Sequence, residues 1–285
     1  MAKDTVFQKK QTLNCRGKLL DLSTPVVMGI LNLTPDSFYD GGEINSIDAA
    51  IEKCSLMLEE GAAIIDVGAY SSRPGAEDIS EEEELKRLLP YLKELVINFP
   101  DAVFSVDTFR ANVAEKAIEN GASIINDISG GNDEMFQTVR ELGVPYILMH
   151  IKGTPQTMQQ NLKEGKILNE VIMYFSEKLN KLHKLGVNDI ILDPGFGFGK
   201  TLEQNYELLK AFEQFRIFDK PVLAGISRKS MINKVLGTKP EAALNGTTVL
   251  NTLLIEKGAA ILRVHDVKEA VEAVKLVQQF NSTQL

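Results

Sequence analysis

The feature that most limits the fold of this 285-residue chain is a repeated alternation of strand and helix patterns. Eight apolar segments rich in β-branched residues are each followed by a polar or glycine-rich cluster and then by a helical pattern. The predicted strands span 26–32, 64–68, 103–107, 123–127, 146–150, 190–193, 222–227 and 260–265. Continuously apolar strands suit a parallel sheet that is covered on both faces. The pattern therefore predicts an α/β fold.

Eight consecutive strand–helix units favour a closed barrel. Helical patterns lie between the strands, for example over 46–60, 80–98, 110–120 and 168–185. Several of them end in a glycine that suits a left-handed helix cap, namely Gly61, Gly121, Gly143, Gly186 and Gly258. A doubly wound open sheet is the alternative, but it usually has fewer strands and a glycine triplet in its first turn, which this chain lacks. We therefore expect a single (β/α)8 TIM barrel.

The first 24 residues do not follow this repeat. Arg16-Gly17-Lys18 forms a turn signal between two short runs, which predicts an N-terminal β-hairpin. We expect this hairpin to plug one end of the barrel. The predicted organisation is one domain overall, with a hairpin extension over 1–24 and the barrel over 25–285.

Composition excludes several classes of function. The chain is 44% hydrophobic and 25% charged, with a net charge of −8, which is ordinary for a globular protein and argues against non-specific nucleic-acid binding. No apolar run approaches the roughly 18 residues of a membrane span, and the first residues lack the apolar core of a signal peptide. Two cysteines form neither a disulfide framework nor a metal-binding spacing. We expect a cytoplasmic protein that binds neither nucleic acid nor membrane.

Polar residues stand at the ends of nearly all the predicted strands. In a barrel of this kind the active site lies at the carboxyl ends of the strands, so these side chains should converge. A single polar residue at a strand end is often a cap or a packing residue, but a complete set is harder to explain in that way. The set is Asn32, Arg73, Asp107, Asn126, His150, Asp193, Lys229, Arg263 and His265.

One part of this set could hold an anion. Arg263 and His265 lie two residues apart at the end of the last strand, where barrels often bind phosphate, and both can point towards the same opening. Arg73 follows the second strand in a loop with a Pro-Gly turn, although a surface ion pair is the alternative for it. Asn32 and the carboxylates near it could share a Mg²⁺ ion, which favours few protein oxygens together with substrate phosphates.

The second part of the set suits a flat heterocycle. Asp107 and Asp193 would accept hydrogen bonds from ring NH and amino groups, while Asn126 and Lys229 would contact a ring nitrogen and a carbonyl. An internal ring of salt bridges is the alternative. The glycine-rich segment 193–200 lacks the spacing of a P-loop, and we expect its glycines to let the backbone pass close to a ligand.

The loop after the first strand is longer than a simple connector and carries Asp36, Ser37, Phe38 and Asp40, which indicates a site. With these residues in place, the chain resembles the dihydropteroate synthases of the pterin-binding family. The resemblance runs from about Pro25 to the final helix. Its motifs are specific in combination and lie at 32–38, 71–75, 126–130, 149–155, 193–200, 227–230 and 263–266.

The resemblance implies a transferase of folate biosynthesis. Its substrates would be 6-hydroxymethyl-7,8-dihydropterin diphosphate and 4-aminobenzoate, and its products 7,8-dihydropteroate and pyrophosphate. It also implies that the diphosphate leaves first, in an SN1-like step, and that the arylamine attacks the resulting pterin cation. Mg²⁺ would assist, and the protein would be a homodimer through its late helices. The family is a sulfonamide target, but the sequence leaves open whether sulfonamides inhibit this chain.

The resemblance also implies a role for each motif residue. Pterin binding falls to Asp107, Asn126, Met149, Asp193, Gly225, Lys229 and Arg263. Diphosphate binding falls to Asn32, Arg73, Arg263 and His265, with Asn32 also as the metal ligand. Aminobenzoate binding falls to Phe38, Ser71, Ser72, Pro74 and Lys229. The catalytic residues would be Asp40, Phe38, Arg73, Lys229, Arg263 and His265.

Three positions depart from the family pattern. Tyr70 stands where many members have Glu, Tyr39 where Ser is common, and Lys152 where Gln is common.

Two rival functions are weighed. A methyltransferase of the pterin-binding barrels would share the pterin carboxylates without needing a diphosphate site, and the segments 71–75 and 263–265 speak against it. A non-enzymatic pterin-binding paralogue would bind without catalysis, and the intact loops with Phe38, Asp40 and Arg73 speak against it.

Overall fold

Eight parallel strands form a barrel in a computed structural model of the chain. The structure describes residues 12–33, 46–71, 78–153, 158, 162 and 164–283. The barrel strands are β3 Val26–Asn32, β4 Ile64–Gly68, β5 Phe104–Asp107, β6 Ile124–Asp127, β7 Tyr146–Met149, β8 Ile190–Asp193, β9 Leu223–Ala224 and β10 Ile261–Val264. They pair in the order β8-β7-β6-β5-β4-β3-β10-β9. A parallel bridge between Leu192 and Val222 joins the two ends of this order, so the TIM barrel is confirmed.

Helices follow the barrel strands and cover the outer face of the sheet. They are α1 Ile47–Glu59, α2 Glu81–Asn98, α3 Ala111–Glu119, α4 Asp133–Leu142, α5 Leu168–Lys184, α6 Leu202–Lys210, α7 Ser230–Leu236, α8 Leu244–Glu256 and α9 Val267–Ser282. Two 3₁₀ turns lie at Phe212–Phe218 and Pro240–Ala242. Within the described ranges, no helix combines the length and the apolar character needed to cross a membrane.

Local sequence determines where these helices begin and end. Ser46 caps α1 by accepting a hydrogen bond from the Ala49 N–H, and Ser80 caps α2 in the same way from Glu83. All five glycines that were predicted to end helices have positive φ angles, between 63° and 107°. Because residues with a side chain rarely adopt such angles, glycine is the natural helix stop at these places.

One predicted strand is much shorter than expected. The apolar run 222–227 forms a strand only at Leu223–Ala224. The chain then turns, with Lys229 N–H donating to the Ile226 carbonyl at 3.1 Å and Arg228 at a φ of 55°. This turn takes up Ile226 and Ser227, the last two residues of the predicted run, so they cannot extend the strand.

The predicted N-terminal hairpin is confirmed as the antiparallel pair β1 Thr12–Cys15 and β2 Lys18–Asp21. Its turn uses the positive φ angles of Arg16 and Gly17. Leu13, Cys15 and Leu22 are buried in one apolar cluster with side chains from the barrel strands. The barrel members of that cluster are Met28, Ile64, Val103, Ile124, Ile147, Ile191, Leu223 and Ile261. The hairpin thus covers the amino-terminal end of the barrel and closes its interior.

Truncating the buried leucine of the hairpin should destabilise the protein. Leu13 is 2% exposed, so Leu13→Ala should lower the free energy of unfolding by about 2–4 kcal/mol because it leaves a cavity. Leu19, on β2, is 74% exposed and provides the matched control, for which we expect a change below about 0.5 kcal/mol. Urea unfolding measures both values. Equal effects would show that the hairpin does not contribute to the core.

Candidate active site

A cavity of about 600 Å³ opens at the carboxyl ends of the barrel strands. This volume is typical of small-molecule sites. Parallel strands bring all their carboxyl ends to one rim, which is why residues distant in sequence meet there. Ten predicted site residues line it: Asn32, Ser71, Asp107, Asn126, Met149, Asp193, Gly225, Lys229, Arg263 and His265. Five others lie outside the described residues, namely Phe38, Asp40, Ser72, Arg73 and Pro74.

Arg263 is held between two carboxylates in the cavity. Its Nε donates to Asp66 Oδ2 at 2.6 Å and its Nη2 donates to Asp107 Oδ2 at 2.8 Å. Burial disfavours the charge of Arg263, but Asp66 and Asp107 outweigh burial and raise its pKa. Burial likewise raises the pKa of Asp107 to about 7, against the opposing effect of Arg263. The guanidinium is therefore a fixed positive charge in this site.

Asp66 is a site residue that the sequence reasoning missed. It lies inside β4, is fully buried, and accepts at Oδ2 from both Arg263 and Asn126 Nδ2, the latter at 2.9 Å. Its Oδ1 has no hydrogen-bond partner among the described residues. The sequence does contain a signal for this residue. An aspartate within the apolar run Ile64–Gly68 needs a partner to offset the cost of burying its charge.

The bond to Asp66 also determines which way the Asn126 amide faces. Asn126 Nδ2 donates to Asp66 Oδ2, so the Asn126 group that meets the carboxyl group is the NH₂ group. The Asn126 carbonyl oxygen then lies on the other side of the amide. Asn126 therefore combines a fixed orientation with an acceptor for a ligand in the cavity.

Asp193 and Lys229 also line the cavity, and the charge of each opposes the pKa shift of the other. Lys229 Nζ donates to the Phe196 carbonyl and lies 4.5 Å from the centre of the Phe198 ring. Burial lowers the pKa of Lys229 to about 8, and the charge of Asp193 opposes this shift. Burial raises the pKa of Asp193, opposed by Lys229. At neutral pH Lys229 is thus mainly an ammonium that can donate to a ligand.

The glycine-rich segment after β8 approaches protein backbone rather than a ligand at two of its glycines. A Cβ on Gly195 would lie 2.0 Å from the His150 carbonyl oxygen, and one on Gly199 would lie 2.4 Å from the Lys152 carbonyl oxygen. The expected approach to a ligand is therefore wrong for these two positions. Gly197, between them, does line the cavity.

Lys200 stabilises the glycine-rich segment through three hydrogen bonds to backbone carbonyls. Its buried Nζ donates to the carbonyls of His150 at 3.1 Å, Gly195 at 2.7 Å and Phe198 at 3.0 Å. All three hydrogens of the ammonium are used in this way. Burial lowers the pKa of Lys200 well below its usual value. The side chain fastens the loop after β8 to the loop after β7.

His150 does not join the other strand-end residues, contrary to the expectation from sequence. It is 2% exposed, and its ring packs edge-on against Tyr174 with the ring centres 4.9 Å apart. The preceding residue, Met149, lines the cavity, so His150 points to the opposite side of the sheet. Burial lowers the pKa of His150 to about 2, which makes it a neutral packing residue.

The loops after β9 and β10 are clamped together at the rim. Arg228 donates through Nε to Asp266 Oδ2 at 3.0 Å and through Nη2 to Asp266 Oδ1. Ser227 Oγ accepts from the His265 backbone N–H at 3.2 Å and lies 3.0 Å from His265 Nδ1. His265 lines the cavity beside Arg263 and Lys229. These side chains can place positive charge and hydrogen-bond donors around an anion.

Asn32 lies at the end of β3 and lines the cavity. Gly68, on the neighbouring strand, has no side chain, and a Cβ there would come within 3.6 Å of Asn32 Oδ1. Among the described residues no group of three or more His, Cys, Asp or Glu side chains could hold a metal ion. The site therefore fits a Mg²⁺ ion that takes one protein ligand, the Asn32 side-chain oxygen, and its remaining ligands from substrate and water.

Two departures from the family pattern lie within the described residues. Tyr70 lines the cavity, donates to Asp78 Oδ1 at 3.0 Å, and meets the Phe109 ring edge-on at 5.0 Å. Lys152 Nζ lies 2.8 Å from Glu170 Oε2, at the start of α5. Both substituted side chains therefore have specific partners. Tyr39 lies outside the described residues.

Removing Asp66 should destabilise the barrel. Asp66→Ala leaves Arg263 with one carboxylate instead of two, and we expect the free energy of unfolding to fall by about 3 kcal/mol. Urea unfolding at neutral pH measures it. Asp101→Ala, at an exposed aspartate before β5, is the control and should change stability by less than about 0.5 kcal/mol. A variant as stable as this control would contradict the assigned role.

Comparison with known proteins identifies the family. The sequence profile described as "Pterin binding enzyme" matches residues 28–265, which is most of the chain. The dihydropteroate synthase of Escherichia coli strain K12 is 44% identical over 269 residues, covering 93% of this chain and 95% of that protein.

Solved structures agree with this match. The Yersinia pestis dihydropteroate synthase in complex with a sulfonamide drug has a TM-score of 0.91 and 41% identity, and the alignment covers 95% of this chain and 100% of that one. The Xanthomonas albilineans dihydropteroate synthase with 4-aminobenzoic acid has a TM-score of 0.88 and 36% identity, covering 96% and 99%. With its barrel and its polar cavity, the chain belongs to the pterin-binding enzymes and, within them, to the dihydropteroate synthase family.

Proposed function

We propose that the chain condenses 6-hydroxymethyl-7,8-dihydropterin diphosphate with 4-aminobenzoate to form 7,8-dihydropteroate and pyrophosphate. The observation that carries the proposal is the cavity itself. It combines a set of groups for a flat heterocycle with Arg263 and His265 for an anion. Relatives with the name dihydropteroate synthase, and a related structure that holds 4-aminobenzoic acid, support the same substrates.

The pterin ring would lie against the carboxylates and amide of the cavity. Asp107 and Asp193 would accept from ring NH and amino groups, and Asn126 would offer its carbonyl oxygen and its remaining N–H. Lys229 would donate to a ring nitrogen or carbonyl. Met149 and Gly225 line the same cavity and would provide apolar and backbone surface for the ring.

The diphosphate would lie at the rim formed by β3 and β10. Arg263 carries a permanent charge, and its Nη1 makes no hydrogen bond to the described residues, so it can face an anion. His265 adds a second donor, and Arg73 is expected to add a third from outside the described residues. Asn32 would hold Mg²⁺ together with diphosphate oxygens. When bound, the ion would supply further positive charge to the leaving group.

The chemistry would proceed by departure of the diphosphate before attack. The bond between the pterin methylene carbon and the diphosphate oxygen breaks, and its electron pair leaves with pyrophosphate. The amino nitrogen of 4-aminobenzoate then attacks the cation and loses a proton. Donors that already point at the leaving group stabilise its growing charge without reorganisation. No covalent nucleophile is required, and the arylamine is neutral at pH 7.

The second substrate would lie towards Ser71 and Lys229, with Phe38, Ser72 and Pro74 as the expected remaining contacts. Asp40 is expected near the pterin cation. Sulfonamides would compete for the same place, in keeping with the sulfonamide complex of the related Yersinia pestis protein. A cytoplasmic location stays a prediction.

Pyrophosphate release tests the function directly. Incubation of the protein with pterin diphosphate, 4-aminobenzoate and Mg²⁺ should release pyrophosphate and form dihydropteroate, measured by a coupled phosphate assay and chromatography. Absence of release despite tight pterin binding would favour a non-catalytic pterin-binding protein. Methyl transfer from methyltetrahydrofolate without pyrophosphate release would favour the methyltransferase alternative.

Two substitutions should separate the two substrates. Lys229→Ala removes a charged donor and should weaken pterin binding by roughly 10–100-fold. Phe38→Ala removes an aromatic contact and should raise the KM for 4-aminobenzoate by about tenfold with little change in pterin affinity. Calorimetry with the pterin and steady-state kinetics measure the two effects. If both variants acted on the same substrate, the proposed division of the site would be incorrect.

A homodimer through the late helices is also proposed. Helices α8 and α9 lie side by side, and Asn281 Nδ2 donates to Glu256 Oε1 at 2.9 Å. Their outer surface exposes large apolar side chains, which a second copy of the chain could cover. These side chains are Val249, Leu253, Leu276 and Phe280.

Sedimentation tests the dimer. The wild-type protein should sediment as a dimer, and Leu253→Lys combined with Phe280→Lys should shift it to monomer because two buried charges would face each other across the interface. Ile97→Lys, at an exposed apolar residue of α2, should leave the dimer intact. A monomeric wild-type protein would exclude the proposal.

A further inference from the structure

His265 has one ring nitrogen in contact with a nearly buried serine. Ser227 is 5% exposed, and its Oγ lies 3.0 Å from His265 Nδ1. The same Oγ accepts a hydrogen bond from the His265 backbone N–H at 3.2 Å. One hydroxyl group therefore contacts both the main chain and the imidazole of the same residue.

The position of the hydroxyl hydrogen follows from counting donors and acceptors. A serine hydroxyl has one hydrogen to donate and two lone pairs to accept with. The His265 N–H occupies one lone pair. If the hydrogen points to Nδ1, Nδ1 is the acceptor and the ring proton lies on Nε2. In the opposite tautomer Nδ1–H would donate to Ser227, and the hydroxyl hydrogen would have no acceptor among the described residues.

Strand pairing and an adjacent ion pair hold Ser227 beside the imidazole of His265. His265 directly follows β10, and Ser227 follows β9, its hydrogen-bonded neighbour in the barrel. The adjacent residues Arg228 and Asp266 join the same two loops through a two-pronged ion pair. Because two nitrogens of one guanidinium contact both oxygens of one carboxylate, this ion pair restricts the distance between the two loops and their orientation. The serine is thus fixed beside Nδ1.

We propose that Ser227 is a positioning residue that holds neutral His265 in the tautomer with the proton on Nε2. The imidazole then presents a hydrogen-bond donor, rather than a lone pair, to an anionic oxygen in the cavity. The proposal rests on the proposed function only for the identity of that anion, the diphosphate of the pterin substrate. The other neutral tautomer would place a lone pair against the anion and repel it.

Nuclear magnetic resonance of ¹⁵N-histidine-labelled protein tests the tautomer without any ligand. The chain has three histidines, and a His265→Asn sample assigns the signals of His265. At a pH of about 8.5, roughly two units above the ordinary histidine pKa, two-bond ¹H–¹⁵N correlations distinguish a protonated from an unprotonated ring nitrogen. We expect Nε2–H in the wild type, a mixture in Ser227→Ala, and restoration of Nε2–H in Ser227→Thr. A wild-type proton on Nδ1, or an unchanged tautomer in Ser227→Ala, would overturn the proposal.

Binding of inorganic pyrophosphate at fixed Mg²⁺ concentration tests the consequence. Ser227→Ala should weaken pyrophosphate binding by about tenfold in calorimetry, since a donor to a charged group is lost from part of the population. Ser227→Thr should keep the wild-type affinity, and Ser55→Ala, on the outer helix α1, is the control. Unchanged affinity despite a changed tautomer would refute the positioning role. The resonance measurement does not depend on turnover, so an inactive enzyme with the expected tautomer would contradict the proposed function alone.

Discussion

The paired charges around Arg263 are the interaction on which the rest of the site depends. Its guanidinium joins β10 to β4 and β5 across the intervening β3, through Asp66 and Asp107. Asp66 extends the connection to β6 by orienting Asn126. A buried ion pair adds little net stability, but removal of one partner leaves an uncompensated charge in a poor solvent. The shape of the cavity and the integrity of the barrel rim therefore depend on the same few atoms.

Lysines organise the opposite side of the cavity. Lys200 binds three carbonyls beneath the glycine-rich loop after β8, while Lys229 binds the Phe196 carbonyl of that loop from the cavity side. Backbone carbonyls are fixed acceptors, so two ammonium groups on one loop make it a rigid wall. The site thus has a carboxylate–guanidinium side and a lysine side. A planar ring that both donates and accepts hydrogen bonds would be complementary to this arrangement.

The rim after the last two strands has a different character. Ser227, Arg228, His265 and Asp266 connect two adjacent loops so that donors face one opening. The inferred tautomer of His265 likewise points a hydrogen-bond donor towards this opening. Groups that stabilise a leaving anion act best when their donors are oriented before the charge develops. Rigidity around His265 would serve catalysis even though Ser227 itself need not touch the substrate.

The sequence by itself determined the barrel and most of the residues around its opening. Apolar runs between helical patterns identify parallel strands, and parallel strands place their polar ends on one rim, so Asp107, Asn126 and Asp193 could be found without a structure. Only the tertiary structure decided which of these residues meet. Asp66 and Arg263 are 197 residues apart, and no local pattern encodes their contact. The outward direction of His150 depends on strand alternation, and the shortening of β9 accompanies a turn that begins at Ile226. The apolar pattern of a sequence reports local secondary structure. Contacts between buried side chains from distant strands form only when the barrel closes.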